Sequence, residues 1–284
     1  MSDSDVARPF ADDARYLPEI KAHSLEKIAL HNRIAGIVAV AMRPQCTYLG
    51  YVGLYSGAGA ARVAGSARIV ETSALAVQRS THPFTHYVYV DEDPKCIEAL
   101  RARIAVLSTA SRSNFIVGDV NEKATEVLAA IPTHRRGERD LSFCFVDPFD
   151  LSLRFETIRA LSSRRMDMLV LLMLGVDGRR NFKPYFADSQ STRIGDFLGV
   201  PDWREAFVQR PGARRPVRFL LERFDDQMVS LGYLSARQDA HAVFVPGKGV
   251  LLYILAYYSH HQLGQKLWRE ARRTLTAQPE LGLL

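Results

Sequence analysis

The sequence predicts an α/β protein in which helices connect the strands of one mostly parallel sheet. Strand-like and helix-like segments alternate from residue 48 to residue 174, as in chains whose parallel strands are joined by helical crossovers. The last two strand-like segments, 233–245 and 250–259, flank the turn sequence Pro-Gly-Lys-Gly and predict an antiparallel hairpin. The chain has 284 residues, 47% of them hydrophobic and 24% charged, and is long enough to bury one large core.

Hydrophobic periodicity predicts the individual elements. Apolar residues recur at steps of three and four after Ser24, which predicts a helix that Ser24 caps and Pro44 ends. The strands predicted next are 48–55, 86–91, 114–117, 141–146 and 167–174. The helices predicted among and after them are 66–80, 94–109, 122–130, 153–163 and 216–231, with a final helix that contains Leu263 and Leu267. Five parallel strands and a hairpin form a seven-stranded sheet of the methyltransferase type, whereas a Rossmann dehydrogenase would keep six parallel strands.

Two segments fall outside this alternation. Residues 1–22 are rich in Asp and Ala, and we interpret them as a flexible N-terminal arm in front of a single domain, 23–284. Residues 176–215 combine Asp, Arg, Asn, Gly and Pro with scattered aromatic residues, so we interpret them as an insertion in that domain.

Composition also bears on location and partners. The apolar runs are too short for a membrane span, and the acidic N-terminal sequence does not have the pattern of a secretion signal. Cys46, Cys96 and Cys144 are far apart and form no CxxC pair, which favours a reducing, cytoplasmic location. A net charge of +6 permits an acidic partner such as nucleic acid without establishing one.

The first motif that predicts ligand binding is the glycine-rich segment after the first predicted strand. In Tyr55-Ser-Gly57-Ala-Gly59 the glycines allow a tight turn and a close approach of the backbone to a nucleoside ligand. The first strand of a parallel sheet is where such sheets often bind ligands. An ordinary turn between a strand and the next element is the alternative.

Carboxylates follow the next two predicted strands. Asp91 is placed to accept hydrogen bonds from the two ribose hydroxyls of a nucleoside, while Asp93 precedes Pro94 and is assigned as a helix N-cap. Asp119 is placed to accept from an adenine amino group, and the backbone amide of Val120 to meet a ring nitrogen. For Asp119 a solvated loop position or another helix cap is an equal alternative.

The fourth predicted strand ends in Asp147-Pro148-Phe149. Proline fixes the backbone and holds the carboxylate in one direction, and the aromatic ring offers a stacking face for a planar base. The alternative is a simple strand end with Asp150 as a cap. Because the motifs lie in order at the carboxyl ends of strands one to four, a single nucleoside-sized ligand could contact all of them.

Arginine pairs flank the predicted insertion. Arg179, Arg180, Arg214 and Arg215 could contact phosphates beside the pocket, or they could be ordinary solvated surface charges. The histidines and cysteines show no metal-ligand spacing, so we predict no metal site.

The sequence resembles the three-Cys-motif partner proteins (TcmP), a bacterial and phage family with a class I methyltransferase-like fold. The similar stretches are the helix from Ser24, YVGLYSGAG followed by Gly65-Ser-Ala, GDVN at 118–121, FVDPF at 145–149 and the tail LLYILAYYSHHQLGQKLW. The resemblance covers about residues 22–275. It implies a Rossmann-like methyltransferase fold, S-adenosylmethionine (SAM) as cofactor and a three-Cys-motif protein as partner.

One departure from the pattern concerns cofactor binding. Related families carry Asp or Glu at the position of Gly53, where the acid holds the amino-acid end of SAM, and proline at the position of Ala58. The Asp147-Pro-Phe triplet is similar to the (Asp/Asn)-Pro-Pro-aromatic motif of amino-directed methyltransferases, one proline short.

These patterns favour a SAM-dependent enzyme that transfers a methyl group to a nitrogen of a nucleic-acid base or a related substrate. In this role Asp147 and Pro148 would orient the attacking amine, and Phe149 would stack on the base. The alternative is a non-catalytic, methyltransferase-shaped partner subunit of a radical-SAM-like or nucleic-acid-processing protein, which Gly53 favours.

Overall fold

The computed structural model describes residues 7–132, 139–209 and 215–273. Its strands are β1 (Glu19–Ile20), β2 (Tyr48–Leu54), β3 (Ala60–Val63), β4 (Ile69–Glu71), β5 (His86–Asp91), β6 (Ser113–Val117), β7 (Asp140–Val146), β8 (Met166–Leu172), β9 (His241–Phe244) and β10 (Leu251–Tyr258). Its α-helices are α1 (Ser24–Met42), α2 (Ser73–Gln78), α3 (Pro94–Ile104), α4 (Ala124–Ala130), α5 (Phe155–Leu161), α6 (Phe182–Ala187), α7 (Arg193–Leu198), α8 (Trp203–Val208), α9 (Pro216–Ser230) and α10 (Gln262–Arg273).

The main sheet has the strand order β6-β5-β2-β7-β8-β10-β9. The first five strands of that order are parallel, and β10 runs antiparallel to both β8 and β9. This confirms the predicted seven-stranded, mostly parallel sheet with its C-terminal antiparallel hairpin. The order reverses at β2, which lies between β5 and β7, so a crevice opens there at the carboxyl ends of the strands.

Alternate residues of the central strands enter two separate cores. Val52 and Leu54 of β2 pack in the core under α4, α5, α7 and α9. Leu49 and Tyr51 enter the opposite core, under α1, α2, α3 and α10. Because both faces of the sheet are covered, β5 and β8 are buried along their whole length and are mostly apolar rather than alternating in polarity.

Three expectations about local structure were wrong. Residues 60–71, partly predicted as helix, form β3 and β4, which pair with β1 in a small second sheet. Only 241–244 of the predicted strand 233–245 pairs with β10. The first helix begins at Ser24 as predicted, but no side chain caps it.

The cap predicted for Asp93 is confirmed, since its carboxylate accepts a hydrogen bond from the amide of Lys95 at 2.9 Å.

The two segments outside the alternation are both packed against the domain where the structure describes them. Ala7 is buried, and Ile20 pairs with Val63, so residues 7–22, which we expected to form a flexible arm, contact the rest of the domain. The predicted insertion contains α6, α7 and α8, whose Phe182 and Trp203 are buried in the core beneath α9. None of the helices in the described ranges is both long and apolar enough to span a membrane.

Candidate functional site

A cavity of about 350 Å³ opens where the strand order reverses. One wall consists of β2 with the loop after it and of the ends of β5 and β7. The other wall consists of α1 and of segment 16–20 from the N-terminal part of the chain. The volume lies within the range of about 300–1,000 Å³ that is typical of small-molecule sites.

The loop after β2 turns through two residues with positive φ. Tyr55 has a φ of 63°, which costs a non-glycine residue on the order of 1–3 kcal/mol, and Gly57 also has a φ of 63°. Nothing lies within 4 Å of the position that a Cβ on Gly57 would occupy. Both residues line the cavity, so the loop presents open backbone to it.

The carboxylate of Asp91 connects this loop to the end of β5. It accepts hydrogen bonds from the amide of Gly57 at 2.8 Å and from the amide of Asp93 at 3.0 Å. Burial raises the pKa of Asp91, and the two amide donors oppose that shift. Each carboxylate oxygen can accept a second hydrogen bond, so Asp91 can still bind hydroxyls in the cavity.

The position of Gly53 is filled by a neighbouring hydroxyl. Ser56 donates from Oγ to the carbonyl of Gly53 at 2.8 Å and accepts from the amide of Val90 at 3.2 Å. A Cβ on Gly53 would lie 2.9 Å from this Oγ and 3.3 Å from the rings of Tyr51 and Tyr89. The space at position 53 therefore suits glycine, and the side chain of an acid at this position would displace Ser56.

Asp147 is held by a lysine that the sequence analysis did not single out. The ammonium of Lys27, on α1, donates to both carboxylate oxygens of Asp147, each at 2.7 Å. The side chains are 16% and 18% exposed, and both line the cavity. Burial raises the pKa of Asp147, while the positive charge of Lys27 opposes the shift.

A signal for Lys27 was present in the sequence. Lys27 and His31 continue the 3–4 spacing of Ile34 and Val38, the buried face of α1. Charged or titratable side chains on a buried face usually have a specific partner. His31 is fully buried and hydrogen-bonded to the hydroxyl of Tyr51 at 2.9 Å, and burial lowers its pKa to about 4.

Of the other two residues of the predicted catalytic triplet, only Phe149 lies at the mouth of the cavity. Phe149 lines it and is 85% exposed, whereas Pro148 is buried and does not line it. The loop that carries them is fixed from the insertion side, because buried Asp177 accepts from the amide of Leu151 at 2.9 Å. Phe149 therefore presents an exposed aromatic ring on a loop that is held by a hydrogen bond.

Three predicted cofactor residues lie outside the lining of this cavity. Gly59 packs against α3, and a Cβ there would lie 2.7 Å from Leu100. Asp119 is exposed and accepts from the amide of Asn121 at 2.7 Å, while Val120 is buried in the core. At this edge the cavity is lined instead by the segment after β5, which includes Glu92.

The predicted phosphate-binding arginines are only partly described. Arg179, Arg180 and Arg215 are exposed, whereas Arg214 lies outside the described residues. Arg179 ends the π-helical turn that follows β8, two residues after Asp177, so it lies on the same edge of the sheet as the Phe149 loop.

Segment 16–20 is held in place by a buried arginine that the sequence analysis also missed. Arg103 of α3 donates to both carboxylate oxygens of Asp13, at 2.8 and 2.9 Å, and to the carbonyl of Tyr16 at 3.1 Å. It also donates to the carbonyl of Ala58, in the glycine loop, at 2.6 Å. One side chain thus joins both walls of the cavity.

A larger cavity of about 780 Å³ lies at the opposite edge of the sheet, where β7 and β8 begin. None of the predicted site residues lines it, so the smaller cavity is the candidate site. The cysteines are free and buried. Among the described residues, no three His, Cys, Asp or Glu side chains are grouped so as to hold a metal ion.

No family model and no curated protein matches the chain. Among solved structures, the O-methyltransferase TomG of Streptomyces achromogenes with SAM is 12% identical, with 89% of this chain and 92% of that chain covered and a TM-score of 0.40. An O-methyltransferase of Bacillus cereus in complex with S-adenosylhomocysteine (SAH) is 11% identical, with 79% of this chain and 80% of that chain covered and a TM-score of 0.41. Protein LPL1258 of Legionella pneumophila is 9% identical, with 87% and 90% covered and a TM-score of 0.47. The strand order of the chain itself is that of class I methyltransferase-like folds.

Proposed function

We propose that this protein is a SAM-dependent methyltransferase that acts on an amino nitrogen of a nucleic-acid base or a related substrate. The observation that carries the proposal is the convergence of Gly57, Asp91 and Asp147, from three adjacent strands, on one cavity of about 350 Å³. A glycine turn, a hydroxyl-binding carboxylate and a held carboxylate next to them are what a nucleoside cofactor and an amine acceptor need.

The residues of the cavity fit the proposed cofactor. The open backbone at Gly57 leaves room for a close approach of the nucleoside, and Asp91 retains acceptor capacity for the ribose hydroxyls. At Gly53, where related families carry an acid, the hydroxyl of Ser56 occupies the place of the missing side chain. Contacts to the amino-acid end of the cofactor would therefore come from other lining groups, such as Ser73 and the backbone of the loop.

When bound, SAM would supply an electrophilic methyl group; transfer to the amino nitrogen would leave SAH and release one proton from that nitrogen to Asp147 or to water. Asp147 accepts a hydrogen bond from the attacking amine and so directs the nitrogen lone pair. Lys27 keeps the carboxylate in one orientation and favours its ionised form. The rate enhancement would come mainly from this positioning and from the exclusion of water.

The nucleic-acid part of the proposal rests on the mouth of the cavity. Phe149 offers an exposed ring on which a base could stack, a contact worth about 1–3 kcal/mol. Arg179 and Arg180 are exposed on the same edge and could contact phosphates beside the base. Arg214 and Arg215 retain their proposed role as further phosphate contacts.

The test combines cofactor binding with methyl transfer. We expect calorimetry to detect binding of SAM or SAH, and Asp91→Ala to weaken it by about 1–3 kcal/mol because ribose hydroxyls lose their partner. Glu98→Ala, which removes an exposed carboxylate of α3, is the control and should bind as the wild type does. An unchanged melting temperature at millimolar SAM would contradict the proposal.

Transfer is measured with radiolabelled SAM and a mixture of cellular RNA, DNA and protein. Asp147→Ala should lower incorporation by about a hundredfold or more while cofactor affinity stays nearly unchanged. Asp150→Ala is the matched control, because Asp150 lies on the same loop but does not line the cavity. Equal incorporation by the wild type and Asp147→Ala would refute the role of Asp147.

A second candidate function is favoured by the filled position at Gly53. The chain would then be a non-catalytic partner subunit, as the resemblance to the TcmP family implies, and its partner would be a three-Cys-motif protein. In the same assay no variant or wild type would incorporate label. The purified chain would instead form a stable complex with a three-Cys-motif protein.

A further inference from the structure

The ion pair in the cavity leaves one hydrogen-bond donor unassigned. An ammonium group has three N–H donors, and Lys27 directs two of them at the oxygens of Asp147, each at 2.7 Å. The side chain is 16% exposed and lines the cavity, so its remaining donor has little bulk water around it. Asp147, in turn, accepts from Lys27 on both oxygens and keeps further lone pairs for a ligand.

We infer that Lys27 and Asp147 together read a substrate edge in which an amino group lies directly beside an unprotonated acceptor atom. The carboxylate accepts from the amino group, and the third N–H of the ammonium donates to the neighbouring acceptor. This inference rests on the proposed function and deepens it, because it makes Lys27 a specificity-determining residue for the class of base.

The amino edges of adenine and cytosine have this pattern. In both bases the exocyclic amino group is a donor next to a ring nitrogen that accepts. A carbonyl edge without an amino group, as in uracil, offers the carboxylate only a ring N–H. Guanine has the pattern only on the edge formed by its amino group and N3; on its Watson–Crick edge the amino group lies beside a protonated ring nitrogen, which would face the ammonium with a second donor. A mismatch of this kind leaves a partly buried charged donor unpaired.

Phe149 is consistent with this geometry. Its exposed ring stands at the mouth of the same cavity, two residues after Asp147. A base that stacks on the ring could direct its edge inward at the ion pair. Stacking tolerates every base, so discrimination would come from the edge contacts of Lys27 and Asp147 rather than from the ring.

The experiment measures binding of nucleosides by NMR titration in the presence of saturating SAH. The probes are adenosine and cytidine, with 1-deazaadenosine, 7-deazaadenosine and 3-deazacytidine, which keep the amino group but lack one adjacent ring nitrogen. We expect at least one parent nucleoside to bind about 10- to 100-fold more tightly than an analogue of it, the loss typical of a hydrogen bond to a charged group.

Variants then assign that preference to the ammonium. Lys27→Met should reduce the ratio of affinities for parent and analogue to near one, whereas Lys27→Arg, which keeps a charged donor, should restore part of it. Lys21→Met, which removes an exposed lysine outside the cavity lining, should keep the full ratio. Melting temperatures establish that each variant is folded, and if Lys27→Met is not, the Arg variant and the analogue series still decide.

A ratio near one in the wild type, or a ratio that survives Lys27→Met, would overturn the inference. Either result leaves the proposed function intact if SAH binds and label is transferred to nucleic acid. Failure of SAH to bind would refute the proposed function and this inference with it, an outcome distinct from a ratio near one measured with SAH bound.

Discussion

Replacing His31 with Gln should make the protein less sensitive to acid. His31 is fully buried, its Nε2 lies 2.9 Å from the hydroxyl of Tyr51, and its Nδ1 lies 2.9 Å from Oδ1 of Asn32. With Nδ1–H donating to Asn32, Nε2 is the acceptor for the Tyr51 hydroxyl, which is the neutral tautomer. Burial lowers the pKa of His31 from 6.5 to about 4, so the folded protein excludes a proton that the unfolded chain binds.

The direction and size of the effect follow from that difference. Between pH 6.5 and about 4 the unfolded state binds more protons than the folded state, so the free energy of unfolding falls as the pH falls through this window. From pH 7 to pH 5 the contribution of His31 amounts to about 2 kcal/mol of lost stability. Gln can still accept from Tyr51 and does not titrate.

The assay is urea unfolding at pH 7 and pH 5. The wild type should lose about 2 kcal/mol more between the two conditions than His31→Gln does. His86, whose pKa burial also lowers to about 4, contributes to both proteins and cancels in the difference. His82→Gln, which removes an exposed histidine, should lose as much as the wild type. Equal losses for the wild type and His31→Gln would refute the reasoning.

Two further predictions concern the walls of the cavity. Gly53→Asp should destabilise the protein by about 1–3 kcal/mol, because the new Cβ would lie 2.9 Å from Oγ of Ser56. Thermal unfolding measures the loss of stability. The double variant Gly53→Asp/Ser56→Gly should recover part of it. If Gly53→Asp is as stable as the wild type, the position is open rather than filled. Arg103→Met should cost about 1–3 kcal/mol by leaving the carbonyl of Ala58 without its donor, and hydrogen exchange should accelerate in residues 7–22. Unchanged exchange there would mean that Arg103 does not hold the segment.

The parallel part of the sheet could be predicted because its signals are local. The strand at 86–91 was predicted with its observed bounds, since a run of buried apolar residues ends there in Asp91 and the Asp93-Pro94 cap. The small sheet could not be predicted in the same way. Its strands have two to four residues, and Glu19–Ile20 finds its partner more than forty positions away.

The same distinction between local and long-range signals applies to the residues of the candidate site. Gly57, Asp91 and Asp147 are found at strand ends, a position that the alternation of elements gives directly. Lys27 reaches Asp147 across 120 positions in the chain, and no local pattern specifies that pairing. For Gly59 the residue type was noticed correctly, but tight packing against α3, rather than the cavity, accounts for it in the structure.

The hydrogen bonds that Arg103 donates to Asp13, Tyr16 and Ala58 also affect the order in which parts of the structure can form during synthesis. Asp13 leaves the ribosome 90 residues before its partner, a delay of roughly 5–20 s at typical translation rates. Throughout that interval the N-terminal segment can pair with Arg62 through Asp12, but Arg103 cannot yet join it to the glycine loop. The cavity is therefore completed late, since it also needs Asp147 and Phe149, which are synthesised after Arg103. A fusion or truncation that disturbs residues 7–22 would act on the site itself, although the sheet would already be forming without it.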